Sequence, residues 1–288
     1  MTEPTTLASL SSALAETVAR TAPAIVSVHS HRLRASGFVW KPGLVVTADE
    51  ALADEGEVEI ELADGSSRQA TVAGRDHTTD IALLRFDGDA APVKLSSEVP
   101  ALGSLAVVVA ADRGAPTARL GMVSRSGPAW RSLRGGEIDA RIELDIRLRH
   151  SQQGGLALNA AGEAFGMAVL GPRRVLTIPT ATIERVTAQL EKSGRIARGY
   201  LGVGLQPVRL DDGFGAMVMN VDKTGPAAAA GIRQGDVIVA VNGEKLAGVR
   251  ALSRSLGPQS VGTVVELTVH RGGEPQTFKV TIGERPET

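Results

Sequence analysis

The chain has 288 residues, a formal net charge of -1 at pH 7 and no cysteine. That length suits two domains that each bury a core, and the interspersed charges leave no basic footprint for nucleic acid. Missing thiols exclude disulfides, thiol catalysis and zinc–thiolate sites without naming a compartment.

The N-terminal stretch MTEPTTLASLSSALAETVAR has neither a basic start nor an unbroken apolar core, so it does not read as a signal peptide. No stretch approaches about 18 apolar residues, so no membrane span is expected. A cytoplasmic protein is the expectation, or an extracytoplasmic one whose leader had been removed. Within residues 1–23, Leu7, Leu10, Leu14 and Val18 recur at helical spacing and Pro23 stops the run, which predicts an amphipathic helix docked on the next domain.

From Ala24 to about Pro179 short apolar runs alternate with turns. Ile25 to Val28, Ser36 to Trp40, Leu44 to Thr47, Val58 to Leu62, Arg68 to Ala73, Ile81 to Phe86, Leu105 to Ala110 and Leu120 to Ser124 read as strands, with Asp64-Gly65 as a hairpin turn. Ile142, Leu144, Ile146 and Leu148 alternate with Arg141, Glu143, Asp145 and Arg147, which predicts one half-buried strand over the whole stretch. Ser151-Gln152-Gln153-Gly154-Gly155 follows, then apolar runs at Leu156 to Leu158 and Ala164 to Leu170. About a dozen such strands imply a sandwich or barrel. Ile183, Val186 and Leu190 share a helical face ahead of Gly194, a suitable C-terminal cap that closes a domain over 24–194.

A second domain is expected over 199–284. Met217, Met219 and Val221 alternate, Gly225 to Gly231 reads as a short capped helix, and GDVIVAVNG as a strand ending in a tight turn. A helix follows over Val249 to Leu256, then a hairpin across Gly272-Gly273. This order, and GPAAAAGIRQGDVIVAVNG above all, resembles a PDZ domain of the kind attached to bacterial serine proteases. The resemblance implies that an extended peptide adds a strand at the sheet edge beside the second helix. Its C-terminal carboxylate is then held by backbone N–H groups of Tyr200, Leu201, Gly202 and Val203, where Gly202 lets the chain curve around an anion. Leu252 and Leu256, one helical turn apart, either line that groove or face the core. The plainer reading is a PDZ fold serving only as a spacer or an oligomer contact.

ASGFVW, GLVVTADEAL, DHTTDIALLRF, GMVSRSG and QQGGLALNAAGEAFGMAV lie in the order and spacing of the HtrA/Deg family of trypsin-like proteases, and the resemblance runs from about Thr17 onward. The fold it implies is mainly β: a trypsin-like double β-barrel followed by a PDZ domain. The chemistry it implies needs a serine nucleophile, a histidine base and a buried aspartate. Asp80 stands in the position of the acid. Glu50 replaces the histidine, Gln153 replaces the serine of G-N-S-G-G, and Ser151 replaces the glycine whose N–H helps bind the oxyanion. The specificity-pocket wall is shortened too, since Gly171-Pro172-Arg173-Arg174 leads at once into Val175 to Pro179.

A carboxamide has no useful nucleophilicity, and loss of triad members costs orders of magnitude in rate. The expectation is therefore a pseudoprotease acting as a peptide-binding scaffold or chaperone-like receptor, needing no cofactor, with protein C-termini and unfolded segments as partners. One alternative is residual endopeptidase activity through Ser151 beside His150, disfavoured because neighbours in an extended segment point oppositely. Another is a hard cation held by Glu50 and Asp80 with help from Asp49 and His150. Against that, Glu50 is expected to hydrogen-bond Gln153, Arg147 or Arg149. His29, His31, His77 and His270 read as ordinary surface histidines. No Phe, Trp or Tyr precedes Phe38, so the aromatic trimer contacts that the resemblance implies are missing.

Overall fold

The computed structural model describes residues 6–54, 56–211, 213–249, 252, 256–257 and 260–286. The chain divides into two compact units, Met1–Ile196 and Ala197–Thr288.

The first unit opens with α1 (Thr6–Thr21). Leu14 and Val18 pack on the barrel core, whereas Leu7 and Leu10 are exposed, so only the second half of the expected apolar stripe docks. Strands β1 (Ile25–Ser30), β2 (Leu33–Lys41), β3 (Leu44–Thr47), β4 (Val58–Glu61), β5 (Ser67–Asp76) and β6 (Ile81–Phe86) close a barrel in the order β1-β2-β3-β6-β5-β4. Then come β7 (Leu105–Asp112), β8 (Ala115–Gly127), the small hairpin β9 (Trp130–Arg131) and β10 (Glu137–Ile138), β11 (Arg141–Leu144), β12 (Gly155–Leu158), β13 (Ala164–Leu170) and β14 (Val175–Pro179). Six of these close a second barrel, β11-β14-β13-β12-β7-β8. Closure removes unpaired edges, and inward residues of both barrels meet: Val107, Val109, Leu156, Leu158 and Met167 share one apolar cluster with Phe38, Val45 and Leu83. Each such buried side chain contributes about 1.5–3 kcal/mol.

The alternation over 142–148 extends beyond the strand it predicts. β11 ends at Leu144, and Asp145 turns its N–H to the Met122 carbonyl at 2.9 Å. Ile146 and Leu148 still pack on the barrel, so the pattern records burial rather than sheet pairing. Helix α2 (Thr180–Ser193) buries Ile183, Val186 and Leu190, and Gly194 donates its N–H to the Leu190 carbonyl.

In the second unit β15 (Gly199–Tyr200) leads to β16 (Val203–Leu210) and β17 (Gly213–Val221), then α3 (Pro226–Ala229), β18 (Val237–Val241), β19 (Glu244–Lys245), β20 (Val264–Arg271), β21 (Glu274–Thr281) and β22 (Gly283–Glu284). The sheet runs β16-β17-β18-β20-β21, which places β16 at an edge. Asp236 is buried and takes two 2.8 Å hydrogen bonds from Arg271, whose guanidinium also covers the Phe278 ring. The helix expected over Val249–Leu256 lies largely outside the described residues. Val249 and Leu252 within it are helical.

Candidate functional site

The segment after β11 enters a single 3-10 turn over His150–Gln152 rather than continuing extended. The Gln152 N–H donates to the Arg149 carbonyl at 3.0 Å and the Gln153 N–H to the His150 carbonyl at 3.2 Å. An oxyanion hole requires amides free to donate to a developing negative oxygen, and the Gln153 amide is already engaged within the turn. The Gln152 side chain is buried and satisfied, accepting from Arg149 N–H and Arg119 Nε and donating to Thr117 Oγ1.

Gln153, 5% exposed, directs its Oε1 to the Leu170 N–H at 3.1 Å, at the end of β13. Its carbonyl accepts from the Ser36 N–H at 2.8 Å. Ser36 Oγ, fully buried, accepts from the Ala111 N–H at 2.9 Å and lies 2.8 Å from the Ser151 carbonyl that it can donate to. Gly154 has φ +88, and a Cβ there would collide with the Ser36 carbonyl oxygen. The turn is thus held on β2 by the Ser36 N–H and hydroxyl, the hydroxyl also joining it to Ala111 of β7, and none of these bonds uses the side chain at 153.

On the first barrel the chain between β3 and β4 meets the turn before β6. Glu50 N–H donates to Asp80 Oδ1 at 2.8 Å, and Asp80 itself adopts φ +59, a left-handed conformation that a short polar residue tolerates at modest cost. Asp76 builds this turn by accepting from Thr78 N–H, Thr78 Oγ1 and Thr79 Oγ1. Burial pushes the Asp80 carboxyl up to about 7; the Glu50 N–H pulls it back, the nearby Glu50 and Asp49 carboxylates raise it further, and Arg134 lowers it. Asp80 therefore holds a proton below about pH 7.

That shift has a sign. Between the ordinary carboxyl value of 3.8 and about 7 the folded chain holds a proton that the unfolded chain has lost, so this stabilisation is present below the lower value and disappears as pH rises through the upper one. Asp80→Asn keeps the acceptor for Glu50 N–H and removes the titration. We expect it to raise Tm at about pH 8 by several degrees, corresponding to ~1–3 kcal/mol, and to raise it by less than half as much at about pH 5, where only part of that window has been crossed. Thermal melts at both pH values check this, and an equal rise at both would contradict it.

The structure thus brings Glu50 and Asp80 together but does not join Glu50 to Gln153, Arg147 or Arg149. Glu50 Oε1 pairs with Arg134 at 3.0 Å instead, because the loop between β9 and β10 reaches over this corner: Ser132 Oγ donates to the Thr78 carbonyl and Arg134 Nη1 to the His77 carbonyl. Asp49 does not face a cation site with Glu50. It is buried, with Arg75 Nε on one carboxylate oxygen and His77 Nδ1 on the other, each at 2.5 Å. His77 is exposed, as expected of a surface histidine, but it is partnered through Nδ1. Among the described residues no group of three or more histidine or acidic side chains converges to hold a metal, and no hydrogen bond links Ser151 Oγ to His150. Arg75, Asp76 and Arg134 escaped the sequence reading. The crowding of charge in GRDHTTD was the signal that could have raised the first two.

In the second unit Gly202 has φ +76, with the Asp222 N–H on its carbonyl at 2.7 Å. Tyr200 OH donates to Asp222 Oδ2 at 3.0 Å, and the Leu201 carbonyl accepts from Ala227 N–H. Leu201 is buried, and Val203 begins the edge strand β16. Leu256 lies beside this loop, its carbonyl accepting from Gly199 N–H at 3.1 Å. Leu252 is 1% exposed within the core, so it does not line a surface groove.

Two closed six-stranded barrels followed by a small unit whose open sheet has β16 as an edge strand define a trypsin-like double barrel joined to a PDZ domain. Residues 35–167 match the family model of the trypsin-like peptidase domain, and residues 199–282 that of the PDZ domain. The chain is 32% identical over 288 residues to a "Probable periplasmic serine endoprotease DegP-like" of Bartonella henselae, covering 90% of this chain and 55% of that relative. A relative of the same name in Pseudomonas putida is 33% identical over 273 residues, covering 88% and 56%. The chain spans about half the length of the curated relatives it matches. The crystal structure of the serine endoprotease from Yersinia pestis is 25% identical with a TM-score of 0.74, covering 94% of this chain and 98% of that one. The HtrA-type protease AlgW with decapeptide, at 23% identity and a TM-score of 0.75 over 95% and 99%, shares the fold. The chain belongs to the HtrA/DegP-type trypsin-like serine proteases with a PDZ domain. These relatives also correct one expectation: they are named periplasmic, which overturns the reading of a cytoplasmic protein. A weakly apolar N-terminal stretch was too little to decide compartment. No helix among the described residues is long and apolar enough to cross a membrane.

Proposed function

We propose that this chain is a non-hydrolytic member of its family that captures extended peptide ends through its PDZ domain, as a scaffold or chaperone-like receptor. The observation that carries this reading is Gln153. Its carboxamide is held by Leu170 N–H and its amide by the His150 carbonyl, so neither a nucleophile nor a free oxyanion donor stands there. Support for peptide capture comes from the edge position of β16 directly after the Tyr200-Leu201-Gly202-Val203 loop, with Leu256 beside it. Solved relatives are described with a decapeptide and with a tripeptide. Peptides ending in apolar residues are expected to bind, and amidating their C-terminus to weaken binding by about tenfold or more, since each lost charge-assisted hydrogen bond costs ~1.5–3 kcal/mol. Fluorescence anisotropy on acid and amide pairs checks this. Equal affinity for the two forms would remove carboxylate capture from the account.

A second reading is favoured by the names of the relatives, which are serine endoproteases: residual peptide hydrolysis from an unconventional site, with Ser151 as the nearest hydroxyl in the sequence. Any such activity should vanish in Ser151→Ala.

A further inference from the structure

The surface around the Gln153 turn carries a concentration of arginine that no hydrolytic or PDZ role uses. After β11, Ile146 and Leu148 pack on the barrel while Arg147 and Arg149 project to solvent. The turn joining β13 to β14, closed by Gly171 N–H on the Arg174 carbonyl at 3.0 Å, adds exposed Arg173 and Arg174. The two segments are neighbours: Leu144 pairs with Val175 across β11 and β14, and Arg174 Nη1 lies 3.2 Å from Asp145 Oδ1. Gln153 Oε1 binds the Leu170 N–H just before that turn. Among the described residues Asp145 is the carboxylate that answers this group. Among the described residues no ion pair engages Arg147, Arg149 or Arg173, although Arg125 and Arg141 on the adjacent strands are both matched to Glu143. In a chain of net charge -1 this is a local excess, not a general basicity.

We infer that this rim is a docking surface for an acidic, extended segment of a partner polypeptide, laid across the Gln153 turn. Arginine rather than lysine suits carboxylates, because the planar guanidinium takes them two oxygens at a time. Arg147 and Arg149 are two residues apart in an alternating segment, so they repeat at about 7 Å, the spacing at which an extended strand presents every second side chain. Nucleic acid fits less well, since none of the rim residues is aromatic and single strands rely on stacking platforms. The rim belongs to the first unit and the carboxylate loop to the second, and the inference does not rest on peptide capture by that loop.

The test uses the full chain and a fluorescein-labelled peptide of alternating Glu and Ser with an amidated C-terminus, so that the PDZ loop cannot supply the binding. Anisotropy at low salt should show saturable binding that the matching Gln–Ser peptide lacks. Reversing the rim charges in Arg147→Glu/Arg149→Glu/Arg173→Glu should raise Kd by at least about tenfold. The control Arg32→Glu/Arg34→Glu/Arg68→Glu changes net charge equally on another exposed surface and should stay within about twofold. If the rim triple variant melts early, single Arg147→Glu and Arg173→Glu variants, each weakening binding several-fold, replace it. Absence of binding, equal losses in both triple variants, or displacement of the peptide by oligothymidylate at lower concentration than by unlabelled peptide would each overturn the proposal.

Discussion

Gln153→Ser alone is expected to leave the chain unable to cleave unfolded protein, whereas Glu50→His/Ser151→Gly/Gln153→Ser is expected to exceed it by at least about 10²-fold in initial rate. The single variant supplies a hydroxyl but no base, because residue 50 carries a carboxylate already paired with Arg134. It also leaves the residue 153 N–H bound inside the 3-10 turn. The triple variant addresses each defect. An imidazole at 50 starts from a main chain whose N–H is fixed on Asp80 at 2.8 Å, so the acid that must orient it is in place. Glycine at 151 frees the backbone to leave the turn and release the amide. Cleavage of a fluorogenic unfolded substrate measures all three steps. Activity in Gln153→Ser alone would mean that Glu50 serves as a base and that the turn opens without help.

Arg75→Ala should destabilise the first unit by ~3–5 kcal/mol at neutral pH, among the largest effects available in this chain. Asp49 is 1% exposed, and the half-buried Arg75 is its counter-charge through Nε. The same guanidinium also holds the Asp49 carbonyl at 3.1 Å and the Ala53 carbonyl at 2.9 Å. Removing it strands a carboxylate with only a half-exposed His77 for company, and three acceptors on the 49–53 turn lose their donor. Arg75→Lys is expected to recover little, since one ammonium cannot span three acceptors arranged around a planar fork. Denaturant unfolding of both variants gives the comparison. A loss under about 1 kcal/mol in Arg75→Ala would show the pair to be screened as at a surface.

Much of the fold was legible because period-2 alternation is written wherever a barrel strand has one face inside. β4, with Val58 and Ile60 inward and Glu59 and Glu61 half-buried, is one such case. The same signal overshot at Ile146 and Leu148, which are partly buried by packing on the core of the second barrel rather than by pairing. Glu50, Asp80 and Gln153 were identifiable because a motif fixes their order. Their partners were not, because which charge meets which depends on contacts between segments far apart in the chain. Arg134 reaches Glu50 from a loop 84 positions later, and Arg75 meets Asp49 across 26. The helical stripe of α1 shows the opposite limit, since Leu7 and Leu10 carry the pattern without a surface to bury it.

The most direct measurement of the central claim is labelling of the pure wild-type protein by an active-site-directed fluorophosphonate, run beside digestion of an unfolded protein. With Gln153 at the turn and its amide bound to His150, no covalent adduct and no cleavage above buffer are predicted. Stoichiometric labelling, or cleavage that persists through repurification and disappears in Ser151→Ala, would contradict the account.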